Sequence, residues 1–239
     1  MNYSGRELAR FRNPILLLGA MAWTVLILGP GGLRAMTHCP VMNGETAPAS
    51  LMAGFFLMLV AMMSPVLIAP LWHIHRRSFK SRRARSAALF VIGYGAIWMT
   101  IGGALWILAI AMTPRPNVAA AGVATVAIVW QCSPWKQRCL NRCHAHGELA
   151  AFGAKADRDA LLFGVTHAVW CAGSCWALML LPMLLTRGHS AAMAAVTVLI
   201  AGERLEHPAP PCWRWRGFGK LKRIVVAQAR IRLHTRIPA

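Results

Sequence analysis

Residues 161–185 read LLFGVTHAVWCAGSCWALMLLPMLL. No Lys, Arg, Asp or Glu interrupts this run, and at about 1.5 Å of rise per residue it exceeds the roughly 30 Å hydrocarbon core of a bilayer. It therefore predicts a membrane-spanning helix. Five further uncharged stretches, residues 15–30, 50–72, 87–112, 118–130 and 191–202, predict the same element, the fourth and sixth spans of the series being the shortest. The composition agrees. Apolar residues make up 57% of the 239 and charged ones 14%, too few charges to cover the surface of a water-soluble globule of this size. A collagen, a coiled coil or a disordered chain would need a glycine repeat, heptads or low hydrophobicity, and none is present.

The charge balance of 26 Lys and Arg against 7 Asp and Glu is strongly basic. Lys and Arg number 3 before the first span, 1, 6, 1, 5 and 1 in the successive loops, and 9 after the last. That alternation puts 23 on one side and 3 on the other, so the positive-inside rule predicts both termini in the cytoplasm of a bacterial cell, with the spans in its inner membrane. The positive excess then reports orientation and contact with anionic membrane lipid, not nucleic-acid binding. Arg6, Arg10 and Arg12 ahead of an apolar run resemble a signal peptide, but no small-x-small cleavage site follows Pro30, which predicts an uncleaved anchor. The expected architecture is all-α: a polytopic membrane bundle of six transmembrane helices over residues 1–206. A basic tail follows over residues 207–239. In it Trp213 and Trp215 precede Phe218, Leu221, Ile224, Val225 and Ile231 at helical spacing, predicting an amphipathic interfacial helix.

Within the opening stretch, His167, Cys171, Cys175 and Met179 recur every four residues, with Met183 four further on. Side chains at i and i+4 share a helix face, drifting by about 40° per step. One edge of the helix thus presents imidazole, two thiols and thioethers. His167 is also the one ionisable residue among His, Lys, Arg, Asp and Glu in the six spans, a functional signal in a membrane segment. Met58, Met62 and Met63, ahead of Pro65 on the second span, are expected at a similar depth; packing is the competing explanation for them. A third cluster follows the fourth span, where Cys132, Cys139, Cys143, His144 and His146 fall in an expected cytoplasmic loop. In a reducing compartment these are thiols or metal ligands, and Cys139 and Cys143 again stand at i, i+4. His38 and Cys39, with Met36 and Met42 close by, form a fourth, sparser group in the first outer loop.

Thiolate, thioether and imidazole donors favour Cu(I), with zinc second, while Mg, Ca and Mn want oxygen ligands. A thiolate pair holding one Cu(I) keeps a net charge of −1, which a nearby cation or a protonated thiol must balance. The spans carry no carboxylate relay and the chain no phosphate-binding loop, which argues against proton- or ATP-driven pumping.

Four motifs come in order: Met58-x-x-Ala61-Met62-Met63-x-Pro65; Gly93-Tyr94 with Trp98; Gln131-x-x-Pro134-x-Lys136-x-x-Cys139-Leu140-x-x-Cys143; and Cys171-x-Gly173-x-Cys175-Trp176-x-Leu178-Met179. Over roughly residues 50–206 the chain resembles the bacterial family of predicted metal-binding integral membrane proteins, which includes a copper chaperone serving a tyrosinase. The resemblance implies delivery of copper to a copper-dependent client enzyme. Ser174 stands where that pattern has a further cysteine, and His144 and His146 where it more often has Arg and Pro. The expectation is a non-enzymatic metallochaperone or assembly factor holding Cu(I) through Cys171 and Cys175, with His167 and Met179 above and below. Cys139 and Cys143 are expected to form a cytoplasmic loading site, with Met58, Met62 and Met63 completing the coordination. Two alternatives stay open: a non-catalytic subunit of a membrane complex, and a membrane thiol–disulfide oxidoreductase.

Overall fold

The structure is a computed structural model and describes residues 5–28, 48–112, 114, 116–185, 188–216, 219, 223, 226 and 227. Among them there are seven helices and no strand: α1 (Gly5–Leu28), α2 (Pro48–Arg77), α3 (Arg83–Met112), α4 (Pro116–Cys132), α5 (Pro134–His144), α6 (Gly153–Leu184) and α7 (His189–Leu205). Over their described residues the six expected spans fall on helices, save Leu185, which caps its helix; residues 29 and 30 of the first span lie outside the described residues. Four of these helices, α1, α2, α3 and α6, are long and apolar enough to cross a membrane. At 17 residues each, α4 and α7 are shorter; α4 reaches spanning length only together with α5, across a bend of 63°. The amphipathic helix expected in the basic tail lies almost wholly outside the described residues.

α6 is the axis of the bundle. It packs most intimately on α3, and glycines make that closeness feasible: a Cβ on Gly93 would sit 2.6 Å from the Leu161 carbonyl oxygen, and one on Gly164 2.2 Å from that of Phe90. These two residues let the backbones meet directly, as small residues do in helix pairs generally. α1 lies on α2 in the same way. A Cβ on Gly19 would collide with the Ser64 hydroxyl, and Trp23 Nε1 donates to the Ala61 carbonyl at 3.0 Å. That carbonyl is four residues before Pro65, whose missing N–H would otherwise leave it without its helical partner. α2 therefore runs unbroken through Pro65, since α1 supplies the donor.

The bend between α4 and α5 is locally encoded. Ser133 is the N-cap of α5, its Oγ accepting from the Lys136 N–H at 3.2 Å, and Pro134 occupies the first turn, where no backbone donor is needed. Such a break frees carbonyls at the end of α4, and the segment after α7 satisfies them. Arg216 Nη1 donates to Gln131 O at 2.9 Å and to Ser133 O at 2.8 Å, Arg216 Nε donates to Gln137 Oε1 at 2.6 Å, and the Arg214 N–H donates to Cys132 O at 3.1 Å. Beneath this lies a buried ion pair between Lys136 Nζ and Glu203 Oε1 at 2.8 Å. Gln131 bridges it, accepting from Lys136 Nζ at 2.5 Å and donating to Glu203. The start of the tail is thus part of the fold.

Two predictions follow from these contacts. Gly93→Ala and Gly164→Ala should each cost about 1–3 kcal/mol, since backbone has to move. Gly95→Ala and Gly103→Ala, which meet nothing within 4 Å on the same helix, should be neutral or mildly stabilising in thermal unfolding of the purified chain. Glu203→Gln or Lys136→Met alone should cost about 3–5 kcal/mol by stranding a buried charge, whereas the Lys136→Met/Glu203→Met pair should recover much of that loss. Equal losses in single and double variants would show that the two groups do not act as a pair.

Candidate metal centre

The i, i+4 stripe of α6 points into the bundle. His167, Cys171, Cys175, Met179 and Met183 are all buried, the two cysteines at zero exposure. The Cys175 thiol donates to the Cys171 carbonyl at 3.1 Å, and the Cys171 sulfur lies 3.3 Å from the Tyr94 hydroxyl of α3, the residue that follows the Gly93 contact. One turn away, the His167 ring is enclosed by Phe90, Tyr94 and Phe163, with centroids at 5.9, 6.2 and 5.8 Å. Its Nε2 is sealed from solvent and has no hydrogen-bond partner. A cleft of about 410 Å³, bordered by Glu148, Asp159, Arg142 and Trp170, reaches the imidazole from outside. Within the bundle this face therefore offers soft donors whose oxygen neighbours include the neutral Tyr94 and Ser174 hydroxyls and the Cys171 carbonyl.

Cys139 and Cys143 do not form a separate loop site. The 63° bend folds α5 back against α6, so that a Cβ at Gly173 would lie 2.9 Å from Cys139 Sγ. Trp130 Nε1, at the end of α4, donates to the Gly173 carbonyl at 3.0 Å and fixes the same approach. Cys143, one turn on, is buried and interacts electrostatically with Cys171, Cys139 and Arg204. The two pairs expected apart therefore adjoin around Gly173, the position between Cys171 and Cys175 at which a side chain would keep α5 away. All six described cysteines are free thiols, Cys132 half-buried and Cys212 exposed. Among the described residues, no three His, Cys, Asp or Glu side chains converge as a preformed ion cage.

Met58, Met62 and Met63 are buried in the same continuous core as Cys171, Cys175 and Met179. α2 itself packs on α1, α3 and α7, so burial in a common core is what links these methionines to the thiols. His73, at the end of α2, lies 4.9 Å from the ring of His146 and bonds the Gly147 carbonyl at 3.0 Å. Burial, reinforced by the neighbouring His73, pushes the His146 imidazole below its ordinary range, so it is neutral at pH 7 and able to donate a lone pair. The two His144 nitrogens face carbonyls, Nδ1 that of Leu140 at 2.8 Å and Nε2 that of Arg204 at 3.1 Å, and a neutral ring donates to one of them. The group around His38 and Cys39 lies outside the described residues.

Sequence reasoning passes over Arg204, which enters only as one of the nine Lys and Arg after the last span. It stands in the last turn of α7 beside Glu203, and its Nη2 donates to Ser174 Oγ at 3.3 Å, between the two cysteines of α6. Ser174 in turn donates to the Cys171 carbonyl at 2.7 Å. The available signal was the adjacent acid and base at the mouth of an otherwise uncharged helix. One of them neutralises Lys136, and the other turns toward sulfur.

The family described as PpoB2, copper chaperone, matches this chain over residues 52–225. The match begins ahead of Met58, takes in both cysteine pairs, Lys136, Glu203 and Arg204, and ends beyond Arg216, so it contains every contact of the centre described above. No match was found among curated proteins or among solved structures. A chaperone's role is non-catalytic, and copper is the ion that thiol, thioether and imidazole donors suit. With 174 of its 239 residues matched, the chain belongs to the PpoB2 copper chaperone family.

Proposed function

We propose that this protein is a multi-pass copper chaperone of the bacterial inner membrane, with both termini cytoplasmic, that holds Cu(I) on the Cys171–Cys175 face of α6 and hands it to a copper-dependent enzyme. The observation that carries this reading is the meeting of two cysteine pairs around Gly173, where the neighbouring oxygens include neutral hydroxyls and a carbonyl. Cu(I) is satisfied by two or three soft donors, so a site of this kind needs no preformed cage; rotation of two thiols suffices. His167, whose side chain borders the cleft and whose buried Nε2 has no hydrogen-bond partner among the described residues, is placed to pass an ion between the outside and Cys171, and Met179 lies one turn beyond Cys175. Met58, Met62 and Met63 furnish neutral thioethers in the same core, which carry no desolvation penalty for charge. Transfer proceeds by ligand exchange, each incoming sulfur or nitrogen displacing an outgoing one.

The membrane setting draws on the four long apolar helices and on their outer faces. Leu17, Leu18 and Met21 on α1, Ile92 and Ile107 on α3, and Val118 and Ile128 on α4 are all exposed. Apolar outer faces of this extent suit acyl chains and not water. The alternation of basic loops supplies the orientation.

Purified full-length protein loaded with Cu(I) under reducing conditions should retain copper near stoichiometrically after desalting. Cys171→Ser/Cys175→Ser should retain only background, while Cys132→Ser/Cys212→Ser should match the wild type. Copper retention unaffected by the first pair would remove the proposed ligands.

A further inference from the structure

We infer that Arg204 selects the charge of the ion: its guanidinium is the built-in counter-charge for a bis-thiolate complex of a monovalent metal, and it disfavours a divalent one. The inference rests on Cys171 and Cys175 being the ligands, as proposed above. Arg204 Nε and Nη1 are sealed from solvent and have no partner in hydrogen-bond geometry. Its Nη2 meets a neutral hydroxyl, that of Ser174, and the guanidinium also approaches the Cys143 and Cys171 thiols. The carboxylate next to it in sequence, Glu203, is committed to Lys136 and Gln131. What the guanidinium faces electrostatically are the thiols of Cys171, Cys143 and Cys175. Lys136 also acts on Cys175, but Glu203 neutralises it at 2.8 Å. Among the described residues Arg204 is thus a buried cation with no carboxylate paired to it, an arrangement that costs stability unless an anion compensates it.

The charge count supplies that compensation. Two thiols that bind Cu(I) release two protons and form a complex of net charge −1; with Arg204 the loaded site is neutral. The same two thiols binding Zn(II) form a neutral complex, and Arg204 then leaves the site at +1. Each side of the comparison forms two metal–sulfur bonds and releases the same two protons, so the difference lies in the ion's charge alone. Arg204 is accordingly a specificity-determining residue that acts through space on the thiol-bound ion and is not itself a ligand. It answers the requirement, already evident from the donor set, for a cation near the thiolates.

The test uses the full-length protein and two thiophilic probes of different charge, Ag(I) and Cd(II). Their dissociation constants are read by competition, from thiolate-to-metal absorption. Arg204→Lys should keep the wild-type Ag(I)-over-Cd(II) preference within a few-fold. Arg204→Met and Arg204→Gln should lower it by roughly 100- to 1,000-fold, the order expected for one unit charge about 4–6 Å away at an effective dielectric of about 20. The ratio is measured on molecules that bind, so partial misfolding lowers amplitude without shifting it, and Arg204→Gln serves if Arg204→Met does not fold. A preference unchanged in both neutral variants overturns the role of Arg204 while leaving Cys171 and Cys175 as ligands. Binding of both ions that survives Cys171→Ser/Cys175→Ser overturns the ligand assignment, and this inference with it.

Discussion

Everything at the centre of this molecule depends on the chain turning back between α4 and α5. Without the break at Ser133 and Pro134, α5 would continue along the axis of α4, carrying Cys139 and Cys143 away from α6. The break is costly in principle, because it strands the carbonyls of Gln131 and Cys132 and leaves that of Ser133 only a long 3.5 Å bond from the Gln137 N–H. It is stable because Arg214 and Arg216, far away in sequence, bring N–H donors to all three. The ion pair of Lys136 with Glu203 ties the first turn of α5 to the last turn of α7. The polar network and the thiol cluster are therefore successive layers of one arrangement, the first positioning the second.

The network also explains how an apolar bundle tolerates buried charge. Lys136 and Glu203 compensate each other, with Gln131 filling the remaining hydrogen-bond capacity of both. Such pairs add little to stability compared with apolar packing, but they fix geometry, because no alternative packing satisfies every group. Arg204 breaks the pattern. One residue from a fully compensated carboxylate, it keeps two nitrogens unpartnered and aims at sulfur.

Much of the helical framework was legible in the sequence, since long uncharged runs at spanning length admit few other structures. The stripe from His167 to Met179 was legible for the same reason: a four-residue spacing fixes a common helix face, and burial of that face confirms the side it presents. The place of α5 was not legible. Residues 134–144 are polar and basic, and hydropathy assigns such a segment to a loop; the bend becomes apparent only once Gly173 is seen to accept Cys139. Arg204 escaped notice because charge counting treats every cation after a span as equivalent, whereas its contact with Ser174, between the two cysteines, sets it apart. The brevity of α4 and α7 was visible in their lengths, but not the way in which α5 extends α4.

The central claim is that a thiophilic ion is gripped by the sulfurs brought together around Gly173. X-ray absorption at the copper edge, on full-length protein loaded with Cu(I), tests it most directly. The account predicts a low-coordinate Cu(I) sphere dominated by sulfur, with the sulfur signal lost when Cys139, Cys143, Cys171 and Cys175 are all replaced by serine. A sphere made of nitrogen and oxygen, or a sulfur sphere unchanged by those replacements, would contradict it.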